Sequence, residues 1–328
     1  YKIPILADPL NPREIDVNRT PFVTDRIESD NGERVWYRLR VPLNGNDKVA
    51  VGGIKDFRSI RFMRMYLHGF ESEVTFRFAR MELVRNQWRR YSQDLNEQNN
   101  VPCDAQTQFD VDAVNIEENS NRKPFSYVLP VGIQRQQALG VFNTLQNEQS
   151  LTMKIKGLCE REEKAVFKNV GLDMRVYDRI KAFVHAEKVV GPKLNDGDVS
   201  VFIRIGSDFK NNYYEYEIPV RFSDDTRLPA NIISDEYKQE VWRPENEFDV
   251  ALSLFTDLKI KRNDAGFSLT DEYGQIVEGT GTVGNPEMQH RISIKGNPSL
   301  GLAKIAMIGV RNRNGGQISP VNVELWIN

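Results

Sequence analysis

The chain has 328 residues, 40% hydrophobic and 27% charged, with a formal net charge of −2. That length gives two domains as the natural expectation, each able to bury a core, and the near-neutral charge removes any global pull toward nucleic acid or an anionic membrane. No run approaches the roughly 18 apolar residues of a membrane-spanning helix, and no signal peptide opens the chain.

Residues 1–32 are rich in Pro, Asn and Asp and read as extended. Glu33 to Pro42 alternates as a strand does, and Asn44 to Asp47 is a turn cluster. The most distinctive stretch runs from Asp56 to Tyr91, where arginine is interleaved with Ile, Phe, Met and Val. It predicts strands at 58–67 and 73–84, joined by a turn at His68-Gly69-Phe70-Glu71. Val74, Phe76 and Phe78 share one face whereas Met81 and Leu83 fall on the other, so a β-bulge is expected near Ala79-Arg80. Residues 92–110 are polar and read as a loop, and Val111 to Asn119 as a strand. These elements make 1–119 a first β-sandwich with an extended N-terminal segment. Residues 120–146 contain two prolines and little periodicity, and are expected to be a connector.

A second sandwich is expected over 147–328. Its strands begin with Leu151 to Leu158 and continue near 179–186, 198–206, 213–222 and 267–278. Ile292 to Lys295, Leu302 to Arg311 and Pro320 to Asn328 complete the set; in the last, Val321, Val323, Leu325 and Ile327 share a face. One segment departs from the pattern. Phe248, Leu252, Phe255, Leu258 and Ile260 stand near helical spacing between an acidic start and a basic end, which predicts a helix at about 245–258. The two halves repeat one strand order, from Arg-x-Ile-Arg-Phe or Arg-Ile-Lys-Ala-Phe to a closing Val-Asn-Ile-Glu or Val-Asn-Val-Glu. The fold class expected is therefore mainly β: two tandem jelly-roll-like (galactose-binding-like) antiparallel sandwiches with a short helical insertion. The chain opens at Tyr1 without Met and closes on a strand, and is expected to be a piece of a longer protein.

Catalytic signatures are sparse. His68, His185 and His290 are the only histidines, and none has a second His, Cys or carboxylate at a metal-ligand spacing. There is no nucleophile elbow, P-loop or dinucleotide fingerprint; Gly279 to Gly284 lacks the strand–loop–helix context and reads as a turn. Glu215/Glu217 and Glu117/Glu118 are carboxylate pairs that 46 acids produce by chance. No catalytic, cofactor or metal residue is expected. Asn195 to Asp198 fits a tight hairpin turn, with calcium ligation as the competing reading. Cys103 and Cys159 are the only cysteines, and a bridge between them would join the two expected domains. Tyr213, Tyr214 and Tyr216, with Trp88 and Tyr91, read as cross-strand packing or as a sugar platform. Arginines 58, 61, 64, 77, 80, 85, 89 and 90 are interspersed with Asp56, Glu71, Glu73 and Glu82, which argues against nucleic acid. They suit ion pairs or a docking surface, and Arg61, Arg77, Trp88, Arg89, Arg90 and Tyr91 are the expected partner-contacting residues.

Several blocks carry a family resemblance: FRSIRFMRMYL with VTFRFARMELVRNQWRRY, VNIEENSNRKPFSYVLPVGIQR, LNDGDVSVFIRIGSDFKNNYYEYEIP, ISIKGNPSLGLAKIAMIGVRNR and VELWIN. In collinear order over nearly the whole chain, they resemble the SprA/Sov family, the outer-membrane translocon of the type IX secretion system, tied also to gliding motility. The stretches around 1–30 and 92–110 contribute little. The resemblance implies a very large membrane β-barrel with soluble insertions, of which this stretch is one, lacking the regularly spaced lipid-facing strands of a barrel. It implies a non-catalytic structural or partner-docking module in the periplasmic or extracellular portion of an outer-membrane protein. The partners it implies are the rest of the translocon, accessory secretion proteins and secreted cargo, with no nucleic acid and no cofactor. For an insertion between barrel strands, the chain near Thr20 to Val23 and Asn328 are expected at one end, within roughly 30 Å, since neighbouring strands are close. A carbohydrate-binding sandwich is the alternative from another class. A glycosidase-like enzyme is a further one, and would need two carboxylates lining a cleft.

Overall fold

In a computed structural model the structure describes residues 1–11, 14–17, 19–20, 22–28, 34–41, 43, 48–52, 63–70, 73–79, 81, 88–93, 95, 107–135, 147–189, 191, 194–281, 286–313 and 320–328. The chain divides into two compact units, Tyr1–Val84 and Arg85–Asn328.

In the first unit, β1 (Val23–Glu28) and β2 (Val35–Leu39) pair antiparallel, with Arg26 opposite Tyr37. The N-terminal segment is tied to this ribbon by polar contacts. Glu14 accepts from Arg26 through Nε at 2.9 Å and Nη2 at 2.6 Å, and the Tyr37 hydroxyl accepts from the Ile15 amide at 3.0 Å. Of the strand expected at 58–67, only 63–67 is described, and of that at 73–84 only 73–79 and 81; none of these residues is in a strand. Met63, Met65, Tyr66, Val74, Phe78 and Met81 are exposed. Alternation creates a face worth burying, but a ladder also needs a paired edge, and the described residues supply none here.

The second unit contains β3 (Arg89–Arg90), β4 (Gln108–Asn115), α1 (Ile116–Asn119), β5 (Gln149–Leu158), β6 (Glu163–Leu172), β7 (Arg179–Ala182), β8 (Val184–Lys188), β9 (Val199–Gly206) and β10 (Tyr213–Pro219). It continues with α2 (Asp235–Val241), β11 (Phe248–Ala251), α3 (Ser253–Asp264), β12 (Tyr273–Ile276), β13 (Arg291–Lys295), β14 (Ala303–Asn312) and β15 (Val321–Ile327). One sheet runs β12-β13-β10-β9-β14-β6-β3, another β4-β5-β15-β8, and β7 pairs with β11. Every named pairing is antiparallel.

A shared apolar core joins the two larger sheets. Val199, Val201, Ile203 and Ile205 of β9 and Tyr214, Tyr216 and Ile218 of β10 contribute from one side, and Met153, Ile155, Val323 and Leu325 from the other. The period of two along each strand produces this: alternate residues point inward and meet a second sheet doing the same. The expected face of β15 is correct, because Val321, Val323, Leu325 and Ile327 are all buried. The outer face of the smaller sheet is covered too. Trp326 packs with Phe125, Tyr127, Val128, Tyr237 and Trp242, the Trp242 indole donates to the Val128 carbonyl at 2.7 Å, and the Ser126 amide donates to the Tyr237 hydroxyl at 2.9 Å.

The mainly antiparallel β class holds, but the division of the chain differs from the expected boundary. β4 pairs with β5 from Gln108↔Lys156 to Asn115↔Gln149, straight across the supposed 120–146 connector. Residues 125–128 of that connector are core, and the chain divides at Val84/Arg85 instead. Prolines and poor periodicity mark irregular backbone, and irregular backbone lies over a sheet as readily as between domains. The helix is displaced as well: Phe248 belongs to β11, and α3 begins at Ser253, burying Phe255 and Leu258. Phe248 and Leu252 are buried as expected, but the alternating Phe248-x-Val250 pair suits a strand across from β7. The strand expected over 111–119 ends at Asn115, whose side chain caps α1 by accepting from the Glu118 amide at 3.0 Å.

Candidate interaction surface

β3 is the outermost strand of the seven-stranded sheet, with Arg89 opposite Phe167 and Arg90 opposite Val166. Four of the six expected partner-contacting residues lie here. Trp88 packs against the core with the Lys168 ammonium 4.9 Å from its ring. Arg89 and Arg90 are exposed, and Arg90 reaches Asp110 at 3.3 Å. Tyr91 lies edge-on to Phe167 and tilted against Phe209. Arg77 is exposed in the first unit, and Arg61 lies outside the described residues. The six are thus divided between units.

The same sheet carries a charged layer on β6, β9, β10 and β14 that composition alone does not announce. On the outer face of the seven-stranded sheet, Arg204 donates to Glu215 through Nε at 2.8 Å and Nη2 at 2.5 Å, and to the Phe209 carbonyl at 2.6 Å. Arg311 donates to Glu163 at 2.8 Å, to Glu215 at 2.9 Å and to Glu217. Both guanidiniums lie over the Phe202 ring, at 5.3 and 5.0 Å, and Arg204 also lies 4.0 Å from the Tyr213 centroid. Phe202 itself presses on Gly309, where a Cβ would come within 2.2 Å of the ring. Burial alone would raise the Glu215 carboxyl, but Arg311 and Arg204 outweigh it and hold it at about 2. Glu163, dominated by burial and next to Glu215, is raised despite Arg311. The Glu215/Glu217 pair is therefore structural: its charges are spent on arginines.

A second buried network ties residues 122–128 to the smaller sheet. Arg122 donates to Glu187 and meets Glu324 at 2.8 Å, while its guanidinium sits 5.0 Å from the Trp326 ring. Burial raises Glu187, and His185 and Arg122 bring it down to about 2. Ser223, His185 and Glu187 line up in the manner of a catalytic triad, with Ser223 Oγ 3.1 Å from His185 Nδ1 and Glu187 3.6 Å from Nε2. The serine hydroxyl and the imidazole instead both meet the main chain: Ser223 Oγ donates to the Val241 carbonyl at 3.2 Å, and His185 Nδ1 lies 2.7 Å from the same oxygen. The imidazole is fully buried against Trp326.

The remaining candidates resolve similarly. His290 Nδ1 lies 3.0 Å from the Tyr216 hydroxyl, and burial lowers the imidazole to about 4, leaving it neutral. Tyr213, Tyr214 and Tyr216 are buried, not a platform. In Asn195 to Asp198, Asp198 accepts from the Asn195 amide at 2.7 Å, Asp196 from the Phe222 amide at 3.0 Å, and Gly197 takes φ +87°. These are the contacts of a turn. Among the described residues no group of three His, Cys, Asp or Glu is placed to hold a metal, and no helix is long and apolar enough to cross a membrane. Cys159 is disulfide-bonded. Cys103, the only other cysteine, is outside the described residues, and both fall within the second unit.

The chain belongs to the SprA_N family, described as motility related/secretion protein, whose model matches residues 1–328. No curated protein matches the chain.

Proposed function

We propose that this chain is a non-catalytic module of a type IX secretion translocon, serving protein export and gliding motility as a structural and partner-docking domain in the periplasmic or extracellular part of an outer-membrane protein. The observation that carries the reading is the family match over the whole chain. The structure adds support: Glu163, Glu215 and Glu217 are paired with Arg204 and Arg311 within the sheet, while its edge at Trp88 to Tyr91 presents exposed arginine and half-buried aromatic groups, a composition suited to protein contacts. A disulfide at Cys159 fits an oxidising envelope compartment. In this reading the sandwich is a jelly-roll-like scaffold. Its partners are the remainder of the barrel protein, accessory secretion proteins and cargo, met through Arg61, Arg77, Trp88, Arg89, Arg90 and Tyr91. Burial of the three tyrosines on β10 weakens the carbohydrate reading. Site-specific photocrosslinking from Arg89 and Arg90 in the intact translocon tests the proposal. Adducts to translocon or cargo proteins are expected; crosslinks confined to unrelated envelope proteins would refute it.

A further inference from the structure

β12 ends the seven-stranded sheet on the side away from β3, and its four residues, Tyr-Gly-Gln-Ile, pair only with β13. The Val277 amide donates to the His290 carbonyl at 2.9 Å. Antiparallel ladders alternate, so Tyr273 and Gln275 also turn their backbone groups toward β13, and Gly274 and Ile276 turn theirs outward. Among the described residues no donor or acceptor meets those outward groups. Natural edges are blunted with Lys, Pro, a bulge or brevity; this strand has no Lys, Pro or bulge, and its four residues keep two outward positions. Next to it, Phe267, Leu269 and Ile276 are exposed, and the Phe267 ring packs on Tyr273 with centroids 5.2 Å apart.

We propose that β12 is a strand-addition site for an extended segment of a partner protein, with apolar residues at alternate positions and basic residues flanking them. Strand addition takes its affinity from main-chain hydrogen bonds and its selectivity from alternate side chains. Those on the Tyr273 side cover Phe267 and Leu269. The charge requirement follows from Asp271 and Glu272 before the strand and Glu278 after it. Glu272 is already held by Arg291 at 3.1 Å and by the Tyr213 hydroxyl at 2.8 Å, whereas Asp271 and Glu278 are exposed at the two ends. A second copy of this chain is the wrong occupant. A two-fold pairing of Gly274 with Ile276 of the other copy sets Glu272 across from Glu278, and like charges directly opposite destabilise a strand pair. The inference is independent of the export role, since it rests on the sheet edge alone.

The probe is the peptide Lys-Lys-Val-Thr-Ile-Thr-Val-Lys-Lys titrated into the full chain, read by calorimetry and by amide NMR shifts. Saturable binding with shifts centred on Gly274 and Ile276 is expected. Ile276→Pro removes one outward N–H and leaves the β13 ladder intact, and should weaken binding about tenfold with an unchanged thermal unfolding midpoint. Asp271→Lys with Glu278→Lys should weaken it too, and a peptide with Glu in place of Lys should not bind. Equal binding to the Ile276→Pro protein, or shifts elsewhere, would overturn the proposal. Self-association of the chain through β12, seen by sedimentation and lost in Ile276→Pro, would overturn the choice of occupant.

Discussion

Arg311 is the side chain on which the buried charge layer turns, because it alone reaches Glu163, Glu215 and Glu217. In Arg311→Met, the stem still covers Phe202 but three buried carboxylates share Arg204 and the distant Arg313, which is 3.8 Å from Glu217. Removing one partner of a buried pair costs about 3–5 kcal/mol. The pH dependence follows from the carboxylates. Glu215 is depressed from 4.5 to about 2, so its contribution, about 3 kcal/mol at most, is present above pH 4.5 and lost as pH falls toward 2. Glu163 is raised, so its contribution is present below 4.5 and lost as pH rises through its folded value. Without Arg311 the carboxylates bind protons more readily in the folded state, and the penalty is largest at neutral pH and shrinks on acidification. Urea unfolding at pH 7.5, 5.0 and 3.5 measures this. A penalty below about 1 kcal/mol at pH 7.5, or one that grows toward acid, would refute the assignment of Arg311 as the neutralising group. Adding Glu163→Gln and Glu215→Gln to Arg311→Met should recover much of the loss, since the unpaired charges go with them.

Phe255 is buried in α3, with its ring 5.3 Å from that of Tyr214, so Phe255→Ala should cost about 3 kcal/mol or more in urea unfolding; a change below about 0.5 kcal/mol would mean that α3 does not pack there. Cys159→Ser opens the loop closed with Cys103 and should cost about 4 kcal/mol by loop-closure entropy; a cysteine-free digest map of the unreduced protein, with no Cys103–Cys159 peptide, would count against the bridge. His290, lowered to about 4 by burial, should stay neutral in an NMR titration down to that pH. It weakens the fold as pH drops from 6.5 toward 4, a slope that His290→Gln should flatten.

Alternation exposed most strands of the second unit, because β5, β9, β10, β14 and β15 each bury one face in a common core and keep the period of two. It did not mark β6, Glu-Lys-Ala-Val-Phe-Lys-Asn-Val-Gly-Leu, as a strand, and the Glu163 side chain there packs against Arg311. A charge whose partner lies eight strands further along the chain carries no local mark of its burial. The partner network was invisible for the same reason: Arg311 and Glu163 are 148 residues apart, and only the sheet order β9-β14-β6 brings them together. The tandem repeat misled because similar strands need not belong to similar domains. Val-Asn closes β4 but opens β15, and the two strands flank β5 within one sheet. The arginine-rich stretch taught the reverse lesson. Its pattern marks strand-forming backbone, but only Arg89 and Arg90 are paired among the described residues, since a strand exists only where an edge accepts it.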